Sequence, residues 1–324
     1  MKAWKHLLAA VVLTVGWAGT AVAQSSTDPA LLDAVTQAFE KSRAVASLHI
    51  ERQSITEIAG AEFSLTQRET ASFDAAQGAD GWNLAGKQTT TAAVQGAEVT
   101  STTETVILDG VVYLRLTGQR AGFPGAGGQN APSQPEGWFQ VEQPQAGQET
   151  PPGLGRGGGM ASANSALGML LLPVSADSAL AIKELASDTI NGQAMRVFQV
   201  TVDPQAVLDA GFGGLLNAGA GLFGRQLNAA PNAEPPSAPD PNAAPPATPG
   251  AEGGFQGAPM MANPENIQIT FAVYIGQDDG YIHRIYSVVS SLSDAAPGQV
   301  TATSITDFSA FGAPVNITAP EIGS

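Results

Sequence analysis

The chain of 324 residues carries 29 Asp and Glu against 14 Lys and Arg, a formal net charge of −15, and no cysteine. That shortage of cations argues against nucleic acid and against a grip on anionic lipid headgroups, both of which draw on clustered Lys and Arg. The absence of cysteine excludes a disulfide scaffold, a thiolate metal site, a Cys nucleophile and a lipid-modified N-terminal Cys. Charged residues make up 13% of the chain, while Gly (37) and Pro (22) are abundant, which points to turns and loops around a β-rich core rather than a helical bundle.

Lys2 and Lys5 precede an apolar run, Leu7–Gly19, and Ala21-Val22-Ala23 supplies small residues before Gln24. This is the pattern of a cleaved secretory signal over residues 1–23. The mature chain, 24–324, is then expected to be secreted or periplasmic, with no stable membrane span after cleavage. Asp28-Pro29 reads as a helix start, and Leu31, Leu32, Val35, Ala38, Phe39 and Ser42 fall on one helical face ending near Ala46.

A period of two then takes over. Leu48, Ile50 and Arg52 alternate with His49, Glu51 and Gln53, and Phe63, Leu65, Gln67, Glu69, Ala71 and Phe73 continue on a second strand, joined around Ala59-Gly60. Asp80-Gly81 and Gln95-Gly96 bound a Thr-rich strand, and Glu98–Leu108 forms the next. Asp109-Gly110, Asn191-Gly192 and Asp278-Asp279-Gly280 each sit between apolar strand-like runs and predict hairpins. VTATSITDF and APVNITAP read as a last strand pair. Short helices are expected at Ser162–Leu172, ending before Pro173, and at Pro204–Asn217, with Asp203 as the cap.

Two Gly/Pro-rich stretches, Gly118–Ala163 and Asn228–Pro264, read as loop insertions, the first broken by Trp138-Phe139-Gln140-Val141. Strand-like sequence resumes after each, so residues 24–324 are expected to form one domain with a core on the order of 200 residues.

No constellation demands catalysis. Gly153-Leu154-Gly155-Arg156-Gly157-Gly158 matches G-x-G-x-x-G by letter, but Pro151-Pro152 stands before it in place of a strand, so it reads as a loop. His49 and His283 sit alone on strands and read as surface or edge residues. No His/Asp/Glu spacing suits a metal, and Asp278-Asp279-Gly280 reads as a turn rather than a calcium loop. The strand carboxylates Glu51, Glu57, Glu62, Glu69, Glu98 and Glu104 read as a solvated sheet face. The expectation is a protein with no catalytic residue, no metal and no cofactor. The excess apolar surface of the short helices is the candidate site instead. Met169, Leu171, Leu172, Phe212, Leu215 and Leu216, flanked by glycines, are expected to wall an apolar pocket.

The order helix, long antiparallel strands, short helices, strand pair resembles the LolA-like fold. Within it, QAFEKSRAVASLHIE, VILDGVVYLRL, INGQAMRVFQVTVDPQAV, VYIGQDDGYIHRI and DFSAFGAPVNITAPE are similar to the LppX/LprG lipoprotein family, across about residues 28–321 apart from the insertions. The resemblance implies an α+β fold, a large curved antiparallel sheet or half-barrel wrapped around a few helices. It also implies a cavity that carries acylated lipid through the cell envelope, and no shared catalytic residue. Two features depart from the family: there is no lipobox Cys, and the insertions are unusually long. The function expected is therefore that of an exported, non-enzymatic protein binding a lipid or other hydrophobic ligand. The alternative is a sensor or interaction module of the same fold that binds an envelope protein.

Overall fold

The computed structural model describes residues 28–60, 64–79, 81–94, 97–118, 137–141, 167–170, 174, 178–207, 267–293 and 298–322. The expected signal segment, most of both insertions and the Gly153–Gly158 loop lie outside these residues.

Helix α1 (Pro29–Arg43) begins as its sequence dictates: Asp28 Oδ1 accepts the Ala30 N–H at 2.9 Å, and Pro29 stands where its missing donor costs nothing. Lys41 and Arg43 lie in the last turn, where the helix dipole favours cations. The buried stripe is Val35, Ala38, Phe39 and Ser42, with Leu31 and Leu32 at its margin, which is the predicted face. Ser42 earns its buried place because its Oγ accepts the Ile282 N–H at 2.9 Å.

Twelve strands follow: β1 (Ser47–Gly60), β2 (Ser64–Gly78), β3 (Gly81–Val94), β4 (Ala97–Leu108), β5 (Val111–Gly118), β6 (Trp138–Val141), β7 (Ala179–Glu184), β8 (Asp188–Ile190), β9 (Gln193–Val202), β10 (Ile267–Gly276), β11 (Ile282–Ser293) and β12 (Gly298–Ser309). They form one curved, open antiparallel sheet in the order β6-β5-β4-β3-β2-β1-β12-β11-β10-β9-β7, with β8 paired to β9. The expected α+β architecture with a large antiparallel sheet is therefore present. Two meanders, β1 to β6 and β7 to β12, are joined by the pairing of β1 with β12, from His49 opposite Ser309 to Gly60 opposite Gly298.

The predicted hairpin turns are where the sequence puts them. Asp109 (φ 49°) and Gly110 (φ 77°) join β4 to β5, and Asn191 (φ 52°) and Gly192 (φ 85°) join β8 to β9. Two consecutive positive φ values match the right-handed twist of the flanking strands, and Asn, Asp and Gly are the residues that tolerate them. The β10–β11 turn is tied down by Asp279, whose carboxylate accepts from Gln193 Nε2 (3.0 Å), the Tyr281 N–H (3.0 Å) and His283 Nε2 (2.9 Å). A Cβ at Gly276 would collide with that same cluster, so the close approach requires glycine there.

One strand expectation fails. APVNITAP, at 313–320, pairs with nothing and forms no strand. β12 already has β1 on one side and β11 on the other, so it offers no edge to a following strand. Ala310 (φ 53°) and Gly312 (φ 70°) turn the chain away instead. Two short helical pieces stand where the sequence places them: residues 167–170, and α2 (Pro204–Val207), which Asp203 caps through the Gln205 N–H at 2.9 Å. The rest of both expected helices lies outside the described residues.

The core lies on one face of the sheet. Leu48, Ile50, Phe73, Leu84, Phe198, Phe271, Ile285 and Phe308 pack there with α1, with Leu167, Met169 and Leu170, and with Val207 of α2. This inner face is the set of alternate positions that the period of two predicts.

Candidate functional site

Away from α1 the inner face changes character. Arg52 is a row farther from the helix than Ile50, and on the same face Gln67 and Glu69 follow Leu65 on β2. Arg52 Nη1 lies 3.8 Å from Glu69 Oε1, with both side chains less than a tenth exposed. Gln67, Gln88, Thr105, Ser287, Ser304 and Thr306 are buried as well. Pairing places them together: Arg52 lies opposite Thr306 on one side and Ala71 on the other, Ala71 lies opposite Gln88, and Ser287 faces Ser304 with their hydroxyls 2.7 Å apart. A belt of polar side chains therefore crosses β11, β12, β1, β2 and β3 inside the molecule.

This corrects the reading of Glu69 as a solvated carboxylate. Alternation did place Arg52, Gln67 and Glu69 on the apolar side of their strands, and the signal was present in LTQRETASF. Glu51 and Glu57, on the opposite face of β1, are exposed as expected. Glu104 is instead paired with Arg115 across β4 and β5. Glu62 lies outside the described residues.

An apolar inner-face side chain reappears beyond the belt, and others line β5. Leu65 on β2 and Val112 and Leu114 on β5 are buried, although none of them belongs to the core around α1. Val112 lies in the row of Leu84 and Leu48 and Leu114 in the row of Phe73 and Ile50, so both extend the core's rows towards the sheet edge, and of the three Leu65 alone lies past the belt.

Of the six residues expected to wall a pocket, Met169 is placed: it is 1% exposed, inside the core beside Leu167 and Leu170. Arg43 Nε, on α1, donates to the Leu170 carbonyl at 2.7 Å and anchors that helical piece. Burial, ahead of the opposing charge of Glu40, holds the Arg43 guanidinium below its ordinary pKa. Leu171, Leu172, Phe212, Leu215 and Leu216 lie outside the described residues.

The outer face carries an arrangement that sequence reasoning missed. His49 Nδ1 is 2.7 Å from Asp74 Oδ1, and Ser72 Oγ is 3.5 Å from His49 Nε2. The order Ser, His, Asp is that of a hydrolase triad. Ser72 and Asp74 are two apart on β2, and His49 sits directly across from Asp74 on β1, so the cluster follows from strand register alone. Its imidazole is shared. Glu51 Oε1, 3.7 Å away, shares the same Nε2, and the serine contact is at the outer limit of a hydrogen bond. An open pocket of roughly 370 Å³ adjoins the cluster, lined by His49, Asp74, Ser309 and residues of the 310–316 segment, but Ser72 is not on its wall.

His283 is not a surface residue either. Its Nε2 donates to the Asp279 carboxylate, its ring meets the Phe311 ring edge-on at 5.2 Å, and Phe311 stacks on Tyr281 at 4.6 Å. These contacts fix the chain end against the β10–β11 hairpin. Among the described residues no group of His, Cys, Asp and Glu could hold a metal ion, and no helix is long and apolar enough to cross a membrane.

No family profile and no curated protein matches the chain. Solved structures share its outline. The lipoprotein LppX of Mycobacterium tuberculosis matches with a TM-score of 0.42 and 11% identity, over 90% of this chain and all of that one. LprF of Mycobacterium bovis matches at 0.39 and 14% identity, over 91% of this chain and 99% of that one. A DUF1329 family protein of Desulfovibrio piger follows at 0.24 and 9% identity, over 90% and 96%. Membership of a family does not follow from such scores. The functional reading below rests on this chain's own residues.

Proposed function

We propose that this chain is an exported, non-enzymatic binding protein that holds a lipid or other hydrophobic ligand against the inner face of its sheet. The observation that carries the reading is the mismatch between the apolar inner face and the one long helix described. The α1 helix, at 15 residues, is ~22 Å long, whereas the sheet is ~50 Å across its hydrogen-bonded direction. Leu65, Val112 and Leu114 are buried apolar side chains that do not belong to the core packed on it. Burial contributes about 0.8 kcal/mol per CH₂, so a long acyl chain is an efficient ligand for such a face.

Met169, Leu171, Leu172, Phe212, Leu215 and Leu216 are the residues we assign to the ligand's wall, and the Lys2–Ala23 segment is what directs export to the periplasm or beyond. The test is mass spectrometry of organic extracts from the protein purified gently from its own envelope fraction. A stoichiometric lipid is the expected result. A folded, ligand-free protein that co-purifies with an envelope protein would overturn the reading in favour of an interaction module.

A further inference from the structure

Three buried polar atoms of the inner belt are left over by the protein's own hydrogen bonding. Gln67, Gln88 and Thr306 are 8%, 5% and 0% exposed, and Gln67 Oε1, Gln88 Oε1 and Thr306 Oγ1 have no hydrogen-bond partner among the described residues. Folded proteins rarely leave such atoms dry, because each forfeits its hydration for nothing. Here they cluster. Thr306, Arg52, Ala71 and Gln88 occupy one row across four strands, and only the Ala71 methyl separates the two long polar side chains. The adjoining row is Phe308, Ile50 and Phe73, so the belt abuts apolar core directly.

We propose that this belt is the polar subsite of the hydrophobic-ligand site and receives the neutral, hydroxyl-bearing head of an amphiphile whose hydrocarbon lies on the adjoining apolar face. The inference rests on the ligand-binding reading above and adds the chemistry of the head. The leftover atoms are two amide oxygens, which can only accept, and one hydroxyl, which can do either. Glu69 adds a carboxylate, and the Arg52 charge is matched by it at 3.8 Å. A head group that donates hydroxyl hydrogens meets the leftover amide oxygens, whereas a carboxylate or phosphate, which only accepts, leaves them unmet. A site built to hydrogen-bond a head group discriminates strongly against an analogue that cannot donate to it, because its buried groups are then left unmet.

The experiment is titration calorimetry of the delipidated full chain with monolauroylglycerol and with laurate, which share one acyl chain. High salt screens the protein's net charge so that repulsion at long range does not decide the result. The glycerol ester is expected to bind about tenfold more tightly or better. The Gln67→Leu/Gln88→Leu double variant is expected to lose that preference while its melting temperature holds or rises, since it removes buried acceptors that fold unmet. Thr306→Val provides an independent, nearly isosteric variant should the double variant fail to fold. Equal binding of the two lipids, or a preference that survives in the folded variants, would mean that the belt is merely hydrated and would overturn the proposal alone. Binding of neither lipid would overturn the ligand-binding reading and this proposal with it.

Discussion

Removing Arg52 while keeping Glu69 isolates the physics of the inner belt. At 3.8 Å, with an effective dielectric constant near 20, the pair attracts by about 4 kcal/mol. Taking each ion out of water costs several kcal/mol, so the intact pair comes close to break-even. Arg52→Leu abolishes the attraction and leaves the cost of burying Glu69 in place, for an expected loss of about 3–5 kcal/mol. At roughly 2–4 °C per kcal/mol for a chain of this class, that is a fall in melting temperature of about 6–20 °C. The double variant Arg52→Leu/Glu69→Leu removes both charges and is expected to recover most of the loss, ending near or above the parent. Urea denaturation of the four proteins of this cycle gives the coupling directly, with the slope in denaturant showing whether the folded state is unchanged. A loss below about 1 kcal/mol for Arg52→Leu is what an exposed pair shows, and it would refute the claim that this pair is buried.

Two further expectations concern the β10–β11 turn and the outer face. Burial of the Asp279 carboxyl alone would raise its pKa, but the hydrogen bonds from Gln193, the Tyr281 N–H and His283 outweigh it and hold the group below its usual 3.8. A carboxyl held lower in the folded than in the unfolded chain adds stability that is full above the unfolded value and fades as pH falls through the folded one. Unfolding followed by circular dichroism should therefore show Asp279→Asn losing less stability than the parent as pH falls below about 4; parallel curves would refute the assignment. On the outer face, the Ser72–His49–Asp74 alignment should be inert: p-nitrophenyl butyrate turnover is expected at background for both the parent and Ser72→Ala, and a Ser72-dependent rate would revive a hydrolase.

Much of this architecture is local, and so it is legible in the chain itself. Asp28-Pro29 sets the start of α1, Asp109-Gly110 and Asn191-Gly192 supply the paired positive φ angles of two hairpins, and alternation from Leu48 and from Leu65 tells which residues share a face. What alternation cannot say is whether a shared face is wet. Glu69 read as a solvated carboxylate because charge usually marks the surface, and only packing shows that it is buried together with Arg52 and Gln67. Strand adjacency is equally non-local. Nothing near Ser47 or Ser309 announces that β1 and β12 pair, yet that pairing unites two meanders, leaves 313–320 without an edge to join, and sets Arg52 beside Thr306. Register likewise aligned His49 with Ser72 and Asp74 from strands whose motifs, taken singly, were unremarkable in their chemistry. Turn chemistry and periodicity act over a few residues and are written in them; burial and long-range pairing depend on the whole chain closing on itself, and only the tertiary structure decides those.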